Sequence, residues 1–69
     1  MGREALVRLE SAFEKLPEDY REVIVLSRIV GLSRAEIAEK MGRTEASVRN
    51  LVSRALAELA EHLEGGTPA

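Results

Sequence analysis

Between positions 43 and 54 stands a set of side chains whose chemistry is hydrogen-bond readout: Arg43, Thr44, Ser47, Arg49, Asn50, Ser53 and Arg54. A guanidinium can bridge the two major-groove acceptors of guanine, a carboxamide can pair with adenine, and Ser or Ala is small enough to let a helix approach base edges. On a helical period Ala46, Asn50 and Ser53 fall at the centre of one face, with Ser47, Arg49 and Arg54 beside them. A helix starting at Thr44 would add backbone N–H groups able to hold a phosphate. Taken singly, each Arg reads equally as a solvated cation in a spacing-four ion pair, and Asn50 and Ser53 as exposed polar filler. Their convergence on one face points to contact with double-stranded DNA.

Catalysis has no comparable constellation. The 69 residues include no Cys and one His, which rules out thiolate chemistry and the Cys-containing zinc patterns. His62 stands among glutamates and reads as solvated rather than as a metal ligand. The carboxylates have no accompanying nucleophile or cleft. A chain this short hides only about 60% of the surface its unfolded form exposes, which leaves a thin core and little room for a buried active site. A non-enzymatic binding domain without metal or cofactor is expected. No apolar run approaches the roughly 20 residues that cross a bilayer, and a secretory leader is not apparent, so a cytoplasmic chain without a membrane partner is expected.

The elements that must position the polar cluster are helices. Strand signals are nearly absent: there is one Tyr and one Phe, and the β-branched run Val23-Ile24-Val25 lies inside a helical pattern. An all-α, four-helix domain is predicted over 1–64, followed by a flexible tail at 65–69. In the first helix, about 4–15, Leu6, Leu9, Phe13 and Leu16 share a face that should be buried. Pro17 ends it and suits the first position of the second helix, followed by Glu18 and Asp19 at the positive end of the helix dipole. The second helix runs to about Val30, carrying Tyr20, Val23, Ile24, Leu26 and Val30, and Gly31 supplies its left-handed stop. Ser33 and Glu36 form a capping box for a third, short helix that turns Ile37, Ala38 and Met41 inward and ends at Gly42. Thr44 caps a fourth, whose Val48, Leu51, Val52, Ala55, Leu56, Leu59 and Leu63 form one broad stripe.

The third and fourth helices, joined only by Met41-Gly42-Arg43-Thr44, should cross steeply. A helix-turn-helix needs a small residue at the crossing, a Gly in the turn and apolar residues on the inner side of the second helix. Ala38, Gly42, Val48 and Leu51 occupy those places. Charge supports the same unit: residues 1–32 carry a net −1, residues 33–54 a net +2 and residues 55–69 a net −3.

Further motifs accompany this unit. Leu16-Pro17-Glu18-Asp19-Tyr20-Arg21-Glu22-Val23-Ile24, Gly31-Leu32-Ser33 with Glu36-Ile37-Ala38, and Gly42-Arg43-Thr44 with Ser47-Val48-Arg49-Asn50 and Arg54-Ala55-Leu56 together resemble region four of bacterial sigma factors, most closely the extracytoplasmic-function group. The resemblance covers about residues 10–60. It implies a domain that docks its last helix in the major groove of the promoter element near position −35 while its other side holds the flap of the RNA polymerase beta subunit. Carried over by motif, Arg43, Thr44, Ser47, Arg49, Asn50, Ser53 and Arg54 become the DNA contacts, and the first two helices the flap-binding face. The resemblance also implies an anti-sigma protein as a partner of the apolar surface, and an upstream domain outside these residues that melts the −10 element. One departure is the acidic continuation Glu58-Leu59-Ala60-Glu61-His62-Leu63-Glu64, where the family commonly continues with basic residues; such an end repels phosphate and predicts weak affinity in isolation.

Two rival readings stay open at the level of sequence. One is a protein-interaction module for the flap or an anti-sigma factor with little DNA contact, which the acidic end favours. The other is a response-regulator-type helix-turn-helix domain, which would dimerise through its last helix, whereas a monomer is expected of the sigma-type domain.

Overall fold

A computed structural model describes residues 2–65. Four helices follow one another: α1 (Gly2–Glu14), α2 (Glu18–Ile24, continuing as a π-helical stretch Val25–Val30), α3 (Arg34–Met41) and α4 (Glu45–Gly65). There is no strand among the described residues, as the all-α reading requires.

Local chemistry accounts for each boundary. α1 closes in a tightened turn, with Lys15 N–H donating to Ala12 O at 3.2 Å and Leu16 N–H to Phe13 O at 3.1 Å. Pro17 stands one place earlier than expected, as the N-cap of α2, and its carbonyl accepts the first helical bond from Arg21 N–H at 3.0 Å. α3 has the full capping box: Glu36 N–H donates to Ser33 Oγ at 3.1 Å, and Ser33 N–H donates to Glu36 Oε1 at 2.8 Å. Thr44 opens α4 by accepting Ser47 N–H on its Oγ1 at 3.1 Å.

Gly31 and Gly42 end α2 and α3 with φ of 86° and 69°, a conformation costly for any residue with a Cβ. At Gly42 the Ala38 carbonyl accepts both Gly42 N–H and Arg43 N–H. At Gly31 the corresponding acceptor is one residue further back, Leu26 O, taking Gly31 N–H at 3.0 Å and Leu32 N–H at 2.9 Å. That extra residue is the π widening of α2. It shifts the phase of the helix end, so that Ile29 and Val30 are 74% and 58% exposed.

The core is shared by α2, α3 and α4. Leu16, Val23, Ile24, Leu26, Ile37, Ala38, Val48, Leu51 and Ala55 are buried together, with Phe13, Tyr20, Leu32, Met41, Val52, Leu56 and Leu59 packed around them. No polar or charged residue is buried among the described residues, so this core rests on apolar packing alone.

The expected burial of α1 requires correction. Leu16 is buried and Phe13 half-buried, but Leu6 and Leu9 are 55% and 43% exposed. α1 lies along the end of α4 with a different face, where Arg8, Ser11, Ala12 and Lys15 line a groove with His62 and Leu63, and Arg8 Nη2 donates to Leu63 O at 3.4 Å. The Leu6–Leu9–Phe13 stripe is about a third of a turn round the helix from that contact. His62 is likewise half-buried in this groove rather than solvated, with Nε2 3.4 Å from Glu58 Oε2. Of the predicted tail, Gly65 is the last residue of α4, and residues 66–69 lie outside the described residues.

Candidate nucleic-acid interface

α4 divides cleanly into two faces. Val48, Leu51 and Ala55 are buried on one, at 0%, 6% and 0% exposure, and they pin the helix to α2 and α3. Ala46, Arg49, Asn50, Ser53 and Arg54 are exposed on the other. Ser47 is half-buried, and Arg43 and Thr44 are exposed immediately before the helix. All seven sequence-predicted contacts therefore lie on or beside one surface. Among the described residues no element packs over it, because the buried apolar residues of α4 point the other way.

The two flanks of this surface differ. On one side Asp19, Arg43, Ser47, Asn50 and Arg54 line a concavity with Tyr20 and Leu51. There Arg43, expected from sequence to meet a phosphate, donates through Nη2 to Asp19 Oδ2 and through Nη1 to Ser47 Oγ, both at 3.1 Å. On the other side Arg49 and Ser53 share an open groove with Arg28 and Ser27 from the π stretch and Arg34 from the first turn of α3, over a floor of Leu32, Ile37 and Val52. No acidic side chain pairs with Arg28, Arg34 or Arg49 among the described residues.

Arg28 and Arg34 are cations that the sequence-based set omits. Arg34 belongs to the net-positive stretch, but its place beside Arg49 depends on how α3 crosses α4. Arg28 lies 21 residues before Arg49 in the chain, and nothing in its local sequence signals their common groove. Three guanidiniums on three elements, without an acidic partner among the described residues, concentrate positive potential where a polyanion's backbone would pass.

No group of three or more His, Cys, Asp or Glu side chains that could hold a metal ion occurs among the described residues. No helix is long and apolar enough to cross a membrane among them. The largest exposed apolar side chains, Leu6, Val7, Leu9, Ile29 and Val30, all belong to α1 and the end of α2.

The family described as Sigma-70, region 4 matches residues 6–59. The RNA polymerase sigma factor SigZ of Bacillus subtilis is 38% identical over 63 residues, which is 91% of this chain and 36% of that protein. The RNA polymerase sigma factor CnrH of Cupriavidus metallidurans is 40% identical over 63 residues, 91% of this chain and 33% of its own length. The ECF RNA polymerase sigma factor SigD of Mycobacterium bovis is 35% identical over 60 residues, 87% of this chain and 28% of its own. The chain thus spans about a third of the length of the curated relatives it matches. No solved structure matches it. The response-regulator reading is set aside by these matches. Because the matched residues run through the second helix, the glycine-ended α3 and the exposed face of α4 alike, the chain belongs to the Sigma-70 region 4 family.

Proposed function

We propose that this chain is the promoter-reading domain of a sigma factor, which binds double-stranded DNA at the −35 element and thereby helps direct transcription initiation by RNA polymerase in the cytoplasm. The observation that carries this reading is the exposed face of α4. Its centre is small and polar, its opposite face is locked in the core, and arginines stand along both flanks. Arg49, Asn50, Ser53 and Ser47 face base edges in the major groove, while Thr44 and Arg54 stand beside the phosphate chain and Arg43, paired with Asp19, braces Ser47 at the edge of the interface. Arg28 and Arg34 extend the phosphate contacts to α2 and α3. Glu58, Glu61 and Glu64 oppose this attraction at the far end of α4, which keeps the isolated domain, a monomer in this reading, a weak binder.

The test is an amide-shift titration at low salt, comparing a duplex carrying a −35-like element with a base-scrambled duplex of equal length. Shifts concentrated between Arg43 and Arg54, and larger for the specific duplex, are the expected result. Equal shifts with both duplexes, or none in α4, would overturn sequence reading by this helix.

A second reading is favoured by the apolar residues left exposed at Leu6, Val7, Leu9, Ile29 and Val30. They lie on the first two helices, which in this reading hold the flap of the polymerase beta subunit or an anti-sigma protein. The two readings use different side chains and are compatible in one domain.

A further inference from the structure

Arg43 stands at the start of α4, where a free cation would meet phosphate, yet its guanidinium is engaged on two sides. Nη2 donates to Asp19 Oδ2 at 3.1 Å, and Nη1 donates to Ser47 Oγ at 3.1 Å. Asp19 lies in the first turn of α2, where the helix dipole favours a carboxylate, and its Oδ1 accepts Tyr20 N–H at 3.0 Å. Three segments are joined in this way: the start of α2, the turn after α3 and the first turn of α4. Asp19 is 24 residues from Arg43 in sequence and outside the helix-turn-helix altogether.

The consequence lies in the hydroxyl of Ser47. A serine hydroxyl has one proton to donate and two lone pairs, and a guanidinium has donors only. With one lone pair of Oγ held by Arg43, the proton cannot point towards Arg43, and the hydroxyl keeps that proton and a single lone pair beside Asn50 and Arg54. Ser47 is then weighted towards donation. In the major groove a donor matches purine N7, guanine O6 or thymine O4, and is mismatched with the amino groups of cytosine and adenine. Without Arg43 in place the hydroxyl rotates freely and accepts as readily as it donates.

We propose that Asp19 is a specificity-determining positioning residue: by holding Arg43 against Ser47 it biases Ser47 towards donating to a base-edge acceptor, and by neutralising Arg43 it withholds that cation from indiscriminate phosphate attraction. The proposal rests on the reading of α4 as the major-groove helix. The ion pair is half-exposed, with side-chain exposures of 35% and 43%, where such pairs add little to stability, so Asp19→Asn leaves the fold intact.

The experiment measures fluorescence anisotropy of the −35-like and scrambled duplexes across a salt series, for the parent chain, Asp19→Asn, Ser47→Ala and the double variant. Circular dichroism melts check that all four are folded. For Asp19→Asn the specific-to-scrambled affinity ratio falls about 2- to 10-fold, the scale of one hydrogen bond. Scrambled binding strengthens, and the log–log salt slope steepens by about 0.9 as freed Arg43 engages one phosphate. In the Ser47→Ala background Asp19→Asn changes the slope but not the ratio, since the group it acts through is gone. A ratio and slope unchanged by Asp19→Asn, or a loss of ratio that persists without Ser47, would overturn the role of Asp19 alone. A parent chain that shows no preference between the duplexes overturns the major-groove reading, and this role with it.

Discussion

α1 and α4 are both amphipathic helices, and the structure treats their apolar stripes in opposite ways. α4 touches α1, α2 and α3 and buries Val48, Leu51 and Ala55, whereas α1 packs along α4 and leaves Leu6, Val7 and Leu9 in solvent. Spacing defines a stripe in either helix, but burial requires enough neighbours to surround it, and a helix with one principal neighbour can cover only a narrow strip. Their polar faces differ as well. That of α1 mixes Arg3, Glu4, Arg8 and Glu10, while the centre of the α4 face is uncharged and its flanks carry Arg49 and Arg54. An uncharged, small-residue centre allows close approach to a polar surface, and the flanking cations favour one made of phosphate.

The sharpest way to break this contrast is to empty a site on the buried face of α4. Leu51→Ala should cost roughly 2 to 5 kcal/mol in urea unfolding, comparable with the whole stability of a small domain. A variant that unfolds at the parent's urea midpoint would show that the α4 stripe does not organise the core.

On the opposite face, Arg49→Ala should leave the melt unchanged. It should cost about 1 to 3 kcal/mol in specific duplex affinity and relax preference at one base position. Uniform weakening on all sequences would move Arg49 to the phosphate contacts.

Arg28→Ala tests the groove that the fold assembles beside Arg49. The expected result is weaker binding to every duplex, with a salt slope shallower by about 0.9. An unchanged slope would remove α2 from the interface.

The smallest effect is expected at α1. Leu6→Ala removes a side chain that is already 55% exposed, and should change stability by no more than about 0.5 kcal/mol. A loss on the scale of Leu51→Ala would mean that this stripe is covered in solution.

Much of the fold was legible because it is written in short-range chemistry. The Ser33–Glu36 box, the Thr44 cap and the stops at Gly31 and Gly42 each involve groups within a few residues of one another, and all four stand where spacing placed them. That the seven candidate residues share one surface was legible for the same reason, since neighbours among them are no more than three positions apart along one helix and its cap. The π widening of α2 was not, because its cost and its benefit lie in how the end of that helix packs on α3, and the residues Val25–Val30 fit an ordinary helical period as well. The rotation of α1 was missed through the same limit: Leu6, Leu9 and Phe13 describe a stripe but not what lies opposite.

From its sequence alone this protein is determined as an all-α helix-turn-helix chain of the sigma region 4 kind with a polar, arginine-flanked last helix, because propensity, capping and periodicity act between residues close in the chain. Only the tertiary structure decided that Asp19 holds Arg43 and that Arg28 and Arg34 join Arg49. Those meetings depend on the relative placement of α2, α3 and α4, and that placement is set by the interlocking of Val23, Ile37 and Val48, buried side chains that no local rule relates to one another.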